Sequence, residues 1–336
     1  MNNKIPVTII TGFLGAGKTT LLNNLIRKHP EKRFAIIENE FGEIGIDGGL
    51  IVDVDDNVFE LANGCICCSL NDDFMRTVRN LLDVRHKFGH VLVETTGVAD
   101  PDTIVGAFLS TEAVQRDFVL DSVVCLVDAI NLEDLMDSQP EVRKQIALAD
   151  TVLVNKTDCV NPQYAAQLLQ WVGMCNPSAR VIAVSHADIS DIDILESFAF
   201  SGRGVETSTM HFRSVTMLRG ANTPQSLLMK SGKAHRHDIV SEGFVVPGSF
   251  DRNKFGFWMQ NFMCYNADTL FRIKGVISFN GIAERFVFQA VRTTYMFEVG
   301  TCWDDDEPRF SKLVFIGRHL DRDNLEDNLY QLLAEN

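Results

Sequence analysis

The sequence has no apolar run approaching the ~20 residues that a membrane-spanning helix needs. Its opening residues, Met1 to Pro6, do not read as a secretory leader, because the apolar run behind them is too short and leads straight into a glycine-rich loop. A cytoplasmic protein is expected. Positive charge is also scarce: 31 Lys and Arg stand against 45 Asp and Glu, for a net charge of −14. Nucleic-acid and anionic-membrane surfaces need local positive charge, so neither partner is expected. The eight cysteines contain no two separated pairs of the kind that structural zinc modules use. In a reducing compartment they are thiols, metal ligands or buried hydrophobes rather than disulfides. Cys125, Cys159, Cys175, Cys264 and Cys302 are scattered and read as ordinary core or surface residues.

What is present is organised around Thr11-Gly12-Phe13-Leu14-Gly15-Ala16-Gly17-Lys18-Thr19-Thr20, which fits the phosphate-binding pattern G-x-x-x-x-G-K-[ST]. Residues 5–10 before it form an apolar run that reads as a buried strand. Leu21, Leu22, Leu25 and Ile26 follow at helical spacing. Strand, glycine loop and helix aim backbone N–H groups and a helix N-terminus at one point, where a polyphosphate sits. Gly12, Gly15 and Gly17 let the backbone turn close to the phosphates. Lys18 reaches the β- and γ-phosphates, and the Thr19 hydroxyl ligates Mg²⁺.

A second strand over 33–37 leads into Glu38-Asn39-Glu40-Phe41-Gly42-Glu43. In an open α/β sheet ligands gather beyond the carboxyl ends of strands. These carboxylates therefore face either the Mg²⁺–nucleotide or a second metal, or else form a solvated acidic loop. Residues 44–49, with three glycines, have the composition of a nucleotide-sensing switch.

Asn63-Gly64-Cys65-Ile66-Cys67-Cys68 comes next. A free thiol has a pKa of roughly 8.5, and a bound metal fixes it as the thiolate. In a turning backbone Cys65 and Cys67 can face one ion, with Cys68 completing a trigonal face. Three soft ligands with an open fourth position suit a metal that is held and then released. Softness favours Zn²⁺ or Cu⁺ over Mg²⁺ or Ca²⁺. Water, Glu38, Glu40 or a partner's side chain could supply the fourth ligand; a redox-active cysteine group is the other reading.

A helix is expected over 72–85. His90-Val91-Leu92-Val93-Glu94-Thr95-Thr96-Gly97 is a strand ending in an acid and, three residues on, a glycine. Glu94 can hold Mg²⁺ directly or through water, and the Gly97 N–H can contact a γ-phosphate that hydrolysis removes. Residues 123–128 form another buried strand, with Asp128 a strand terminator or a nucleotide contact. A further strand runs into Asn155-Lys156-Thr157-Asp158. The Asp158 carboxylate can accept hydrogen bonds from guanine N1–H and its exocyclic amine, a pattern adenine does not present. Asn155 braces the loop and the Lys156 stem lies along the base, so the nucleotide is GTP. Residues 180–184 close this part, with Ser185 and His186 near the base.

The length favours two domains. The expected division is 1–203 for a P-loop GTPase domain with a mostly parallel sheet, and 204–336 for a smaller α+β domain. Residues 219–240 read as a flexible polar segment. In it, His235 and His237 lie beside Lys233 and Arg236, so a solvated loop is favoured over a metal site. Beyond it a helix over 255–264, strands over 270–277, 285–291 and 312–317, and a helix over 321–333 are expected.

T-G-F-L-G-A-G-K-T-T, E-N-E-F-G, G-C-I-C-C, E-T-T-G-x-A-D-P and N-K-T-D, in this order, resemble the CobW family of P-loop GTPases. The likeness covers nearly the whole chain. It implies a metal-binding GTPase that acts as a metallochaperone or insertase, with zinc the commonest metal and cobalt or iron in specialised members. By position it implies that Gly15, Ala16, Gly17, Lys18, Thr19 and Thr20 hold phosphates and Mg²⁺, and that Glu94 sits in the hydrolytic site. Asn155, Lys156 and Asp158 would read guanine, and Cys65, Cys67 and Cys68 would take the metal. Some relatives carry a long histidine tract that this chain lacks, which argues against metal storage. The expected device is a coupled switch: GTP binding and hydrolysis alter metal affinity and drive transfer to a client metalloprotein. No arginine finger or attacking-water glutamine is evident, so slow intrinsic hydrolysis is expected, accelerated by a partner or a homodimer. The alternative is a non-enzymatic zinc sensor or buffer that uses GTP as a structural ligand.

Overall fold

The structure is a computed structural model that describes residues 4–39, 58–63, 78, 80–97, 100–200, 239–304 and 306–334. Its first half alternates strand and helix. β1 (Ile5–Gly12) enters the glycine loop and α1 (Lys18–Lys28), whose Leu21, Leu22 and Leu25 are buried as their spacing requires. β2 (Phe34–Asn39), β3 (Val58–Asn63) and β4 (His90–Glu94) follow. Then come α2 (Asp102–Ser110), α3 (Glu112–Asp117) and β5 (Phe118–Asp128). α4 (Leu132–Ser138) and α5 (Pro140–Leu148) lead to β6 (Thr151–Asn155), α6 (Pro162–Cys175) and β7 (Arg180–Ala183). Proline opens both α5 and α6, where its missing N–H removes no helical hydrogen bond.

The seven strands form one sheet in the order β3-β2-β4-β1-β5-β6-β7, every neighbouring pair parallel. Parallel strands need crossovers, and the crossover helices cover both faces. The strands accordingly divide by alternate residues. Ile9, Ala35, Ile37, Val91 and Val93 pack in one apolar cluster. Ile10, Phe34, Ile36 and Leu92 pack in another on the opposite face.

The second half is antiparallel. β8 (Ile239–Pro247), α7 (Arg252–Tyr265), β9 (Leu270–Ser278), β10 (Glu284–Val291), β11 (Thr294–Cys302), β12 (Phe310–Arg318) and α8 (Arg322–Gln331) occur in that order. The sheet order is β11-β10-β9-β12-β8. Asp251 and Asp321 cap α7 and α8 by accepting hydrogen bonds from first-turn N–H groups. Both helices cover one face of the sheet, around Phe250, Phe255, Phe288 and Phe315.

β3, β8 and β11 are strands that the sequence reading does not anticipate, and β5 starts earlier than expected. β11 is an edge strand with alternately half-buried and exposed residues, so its pattern lacks a fully apolar face. Of the helix expected over 72–85, Val78 and Leu81 are buried and Leu82 packs beside them. Most of the rest of that segment, the 44–49 switch, the 203/204 boundary and nearly all of 219–240 lie outside the described residues.

The two sheets meet at a buried ion cluster. Asp150, just after α5, accepts from Arg272 Nη2 at 2.6 Å and from the Val123 N–H at 2.8 Å, and it pairs with Lys274 Nζ. Burial raises the Asp150 pKa, but Arg272 and Lys274 outweigh it and hold it below the usual carboxylate value. Two cations face one carboxylate. The surplus positive charge is met by the Leu148 carbonyl, by Gln289 Oε1 and by the Phe200 ring, whose centroid is 4.8 Å from the Arg272 guanidinium.

Asp150→Asn leaves both cations buried without a counter-charge, and urea unfolding should show a loss of about 3–5 kcal/mol. Lys274→Met leaves a balanced Asp150–Arg272 pair and should cost far less. Equal losses in the two variants would refute this charge accounting.

Candidate functional site

β1 sits at the centre of the parallel sheet, where the chain winds to one side and then to the other. Ligands of such sheets bind beyond the carboxyl ends of the strands at this reversal. β1 ends in the glycine loop, β4 in Glu94, β5 in Asp128 and β6 in Asn155. One edge thus carries the expected nucleotide residues.

Gly17, at the N-terminus of α1, has φ +108°, and a Cβ there would lie 2.6 Å from Asn155 Nδ2. Glycine is required on both counts. Asn155 is buried, donates from Nδ2 to the Ala16 carbonyl at 2.8 Å and accepts at Oδ1 from the Ala187 N–H at 2.8 Å. One carboxamide therefore ties the phosphate loop to the loop after β7. Ala16 and Lys18 are buried, Gly15 and Thr20 are exposed, and Lys18 Nζ donates to the Phe13 carbonyl at 3.3 Å. Gly12 ends β1 against β5.

Thr19 Oγ1 donates to Glu94 Oε1 at 3.2 Å, across 75 residues of sequence. The hydroxyl and carboxylate form an oxygen-only donor pair of the kind Mg²⁺ prefers. Thr95 Oγ1 donates to Thr11 Oγ1 at 3.0 Å and holds the end of β4 on β1. Thr96 Oγ1 is buried with no hydrogen-bond partner among the described residues. Gly97 follows it, and a Cβ there would come within 2.5 Å of the Leu14 backbone nitrogen. The Gly97 peptide thus lies against the phosphate loop, and Gln145 Nε2 on α5 donates to its carbonyl at 3.2 Å.

In the loop after β6, Asp158 is exposed and the Ser185 hydroxyl holds its pKa below the usual carboxylate value. His186 Nε2 lies 3.7 Å from Asp158 Oδ2. Lys156 adopts φ +61° and its ammonium is 2.8 Å from Asp128 Oδ2. Asp128 also accepts from the Ile130 N–H at 2.9 Å and from Asn131 Nδ2 at 3.0 Å. Asp128 is thus an anchor for Lys156 as well as the end of a strand. Its acid at a strand tip was visible in the sequence, but its partner was not. Gln145 had no local signal at all.

The expected metal ligands fall differently. Glu38 is the penultimate residue of β2, its backbone paired to Glu94 and Ala62, and its side chain is outside the described residues. Cys65, Cys67, Cys68 and Glu40 are outside them as well. Among the described residues no group of three or more His, Cys, Asp or Glu is placed to hold a metal. No described helix is long and apolar enough to cross a membrane.

Residues 6–183 match the model of the CobW/HypB/UreG nucleotide-binding domain, and residues 239–333 match the cobalamin synthesis protein CobW C-terminal domain. The chain belongs to the CobW family. Among CobW-family relatives, the zinc chaperone YjiA of Escherichia coli (strain K12) is 33% identical over 327 residues, 96% of this chain and 97% of that protein. The zinc-regulated GTPase metalloprotein activator 1 of Schizosaccharomyces pombe is 27% identical, over 95% of this chain and 83% of that one. The crystal structure of Zn(II)-bound YjiA GTPase from E. coli superposes with a TM-score of 0.68 at 28% identity, covering 99% of this chain and all of that one. The P-loop architecture with a following α+β domain is therefore the family's fold.

If Asp128 anchors Lys156, Asp128→Ala should weaken GDP binding about tenfold, the effect of losing a partly buried ion pair of roughly 1.4 kcal/mol. A fluorescent-GDP titration checks this. Asp128→Ala combined with Lys156→Met should lose little more than either change alone.

Proposed function

We propose that this chain is a GTP-hydrolysing metallochaperone that binds zinc at Cys65, Cys67 and Cys68 and couples GTP binding and hydrolysis to zinc transfer to a client metalloprotein. The observation that carries the GTPase half is the Thr19–Glu94 contact at 3.2 Å beside the glycine loop. It puts a hydroxyl and a carboxylate together where the phosphates of a nucleotide held by Lys18 would end. When bound, Mg²⁺ would supply charge neutralisation on those phosphates, with Thr19 and Glu94 as its protein ligands. Gly97 would present its N–H to the γ-phosphate. Asn155, Lys156 and Asp158 would select guanine, with the ionised Asp158 carboxylate accepting from the base as well as from Ser185.

The zinc half is supported by thiol chemistry and by the relatives, among them a zinc chaperone and a zinc-regulated GTPase metalloprotein activator. Three thiols within four positions hold a soft ion without saturating it, which suits a cargo metal more than a permanent structural one. Glu38, beside Glu94 across a strand pair, would offer a harder fourth ligand at the boundary between the two sites. The cysteine loop follows β3, which pairs with β2 at the same edge of the sheet.

A competitive zinc titration of the reduced protein, with GDP and with a non-hydrolysable GTP analogue, tests this reading. Tight binding should require Cys65, Cys67 and Cys68 and should differ between the two nucleotides. Replacing all three with serine should abolish it. Glu94→Gln should lower the hydrolysis rate by about 100-fold or more while zinc binding persists. Zinc affinity indifferent to nucleotide would make the protein a buffer, and a chaperone cycle would be ruled out.

A further inference from the structure

The antiparallel sheet grips the same segment that abuts the phosphate loop. Gly97 lies against Leu14, and Gln145 holds its carbonyl. Three positions on, Asp100 pairs with Lys144, the neighbour of Gln145 on α5. Asp100 Oδ2 is also 3.5 Å from Arg292 Nη2, and Asp102, the first residue of α2, pairs with Arg292 Nε. Arg292 belongs to the other sheet: it starts the two-residue turn between β10 and β11.

This turn is built at some cost. Arg292 has φ +51°, a left-handed conformation uncommon for a residue other than glycine. Val291, just before it, is buried among Ile104, Val105 and Phe108 of α2. The hairpin is therefore wedged into the helical layer of the nucleotide-binding sheet, with the guanidinium directed at two carboxylates. Burial, with the charge of Asp100 added, pushes the Asp102 pKa up to about 6, so the two acids are crowded. Arg292 and Lys144 are the cations among the described residues that offset this.

We propose that Arg292 is a positioning residue for GTP hydrolysis: by neutralising Asp100 and Asp102 it fixes the start of α2 and so holds the Gly97 peptide at the γ-phosphate. This rests on the reading above that Gly97 meets the γ-phosphate. GDP has no such phosphate, so its binding makes no demand on Gly97. The C-terminal sheet, which carries no catalytic cluster of its own among the described residues, would thereby stabilise the GTP form selectively. By reciprocity, GTP would tighten the docking of that sheet.

The test uses the full chain with Arg292→Ala and Arg292→Lys, reading kcat for GTP hydrolysis and the affinities for a non-hydrolysable GTP analogue and for GDP. Arg292→Ala should lower kcat and analogue affinity by about tenfold, within the range for residues that couple sites without touching the ligand. GDP affinity should stay within about twofold, and Arg292→Lys should recover part of the loss. Lys144→Met, which also relaxes Asp100, should shift the same ratio in the same direction even if Arg292→Ala folds poorly. Equal loss of analogue and GDP affinity, or no change in either, would overturn the proposal. Absence of GTP turnover in the unmodified chain would instead overturn the GTPase reading, while the ratio of analogue to GDP affinity still decides the role of Arg292.

Discussion

A parallel sheet forces all of its strands to end on one side, and in this chain that side carries the glycine loop and the residues expected to meet a nucleotide. β1, β4, β5 and β6 deliver the glycine loop, Glu94, Asp128 and Asn155 to one edge because each strand must be re-entered from the opposite end through a helix. Residues more than a hundred positions apart then meet. The Asn155 carboxamide, bonded to Ala16 and to Ala187, is the cross-brace of that edge. With no Cβ on Gly17 it can approach the loop closely, so the glycine loop and the loop after β7 share one buried side chain.

α5 plays the corresponding part between the two sheets. Its inner residues Lys144 and Gln145 contact the segment after β4, and the chain leaving it supplies the Leu148 carbonyl and Asp150 to Arg272 and Lys274. The helix is short and its partners are charged. One end meets Asp100, which is partly exposed, and the other leads to the buried Asp150 cluster, where the effective dielectric is low. This arrangement gives an antiparallel sheet with an aromatic core a physical connection to the nucleotide edge.

The legible parts of the sequence were those that depend on neighbours in the chain. The glycine loop, the E-T-T-G strand end and N-K-T-D are contiguous, because a backbone turn and the side chains beside it must come from one short stretch. Central strands such as Val91 to Val93 were legible because burial on both faces demands unbroken apolar runs. β11 was not, since an edge strand with one wet face has only a weak alternation, and β8 follows a polar segment that masked its start. The Asp128–Lys156 and Arg292–Asp102 pairs were out of reach for another reason: an ion pair across 28 or 190 positions leaves no local pattern.

The sequence by itself determined the presence of a phosphate loop, the fold of the first half and a cluster of three cysteines, because each rests on local spacing and residue type. Only the tertiary structure decided which distant groups meet at the strand ends, that Thr19 touches Glu94, and that the second sheet is bolted to the first through Asp150 and Arg292. Those contacts are set by strand order and by the packing of α2 and α5 against a hairpin from the other end of the chain. Strand order is a property of the whole folded chain, and no window of the sequence contains it.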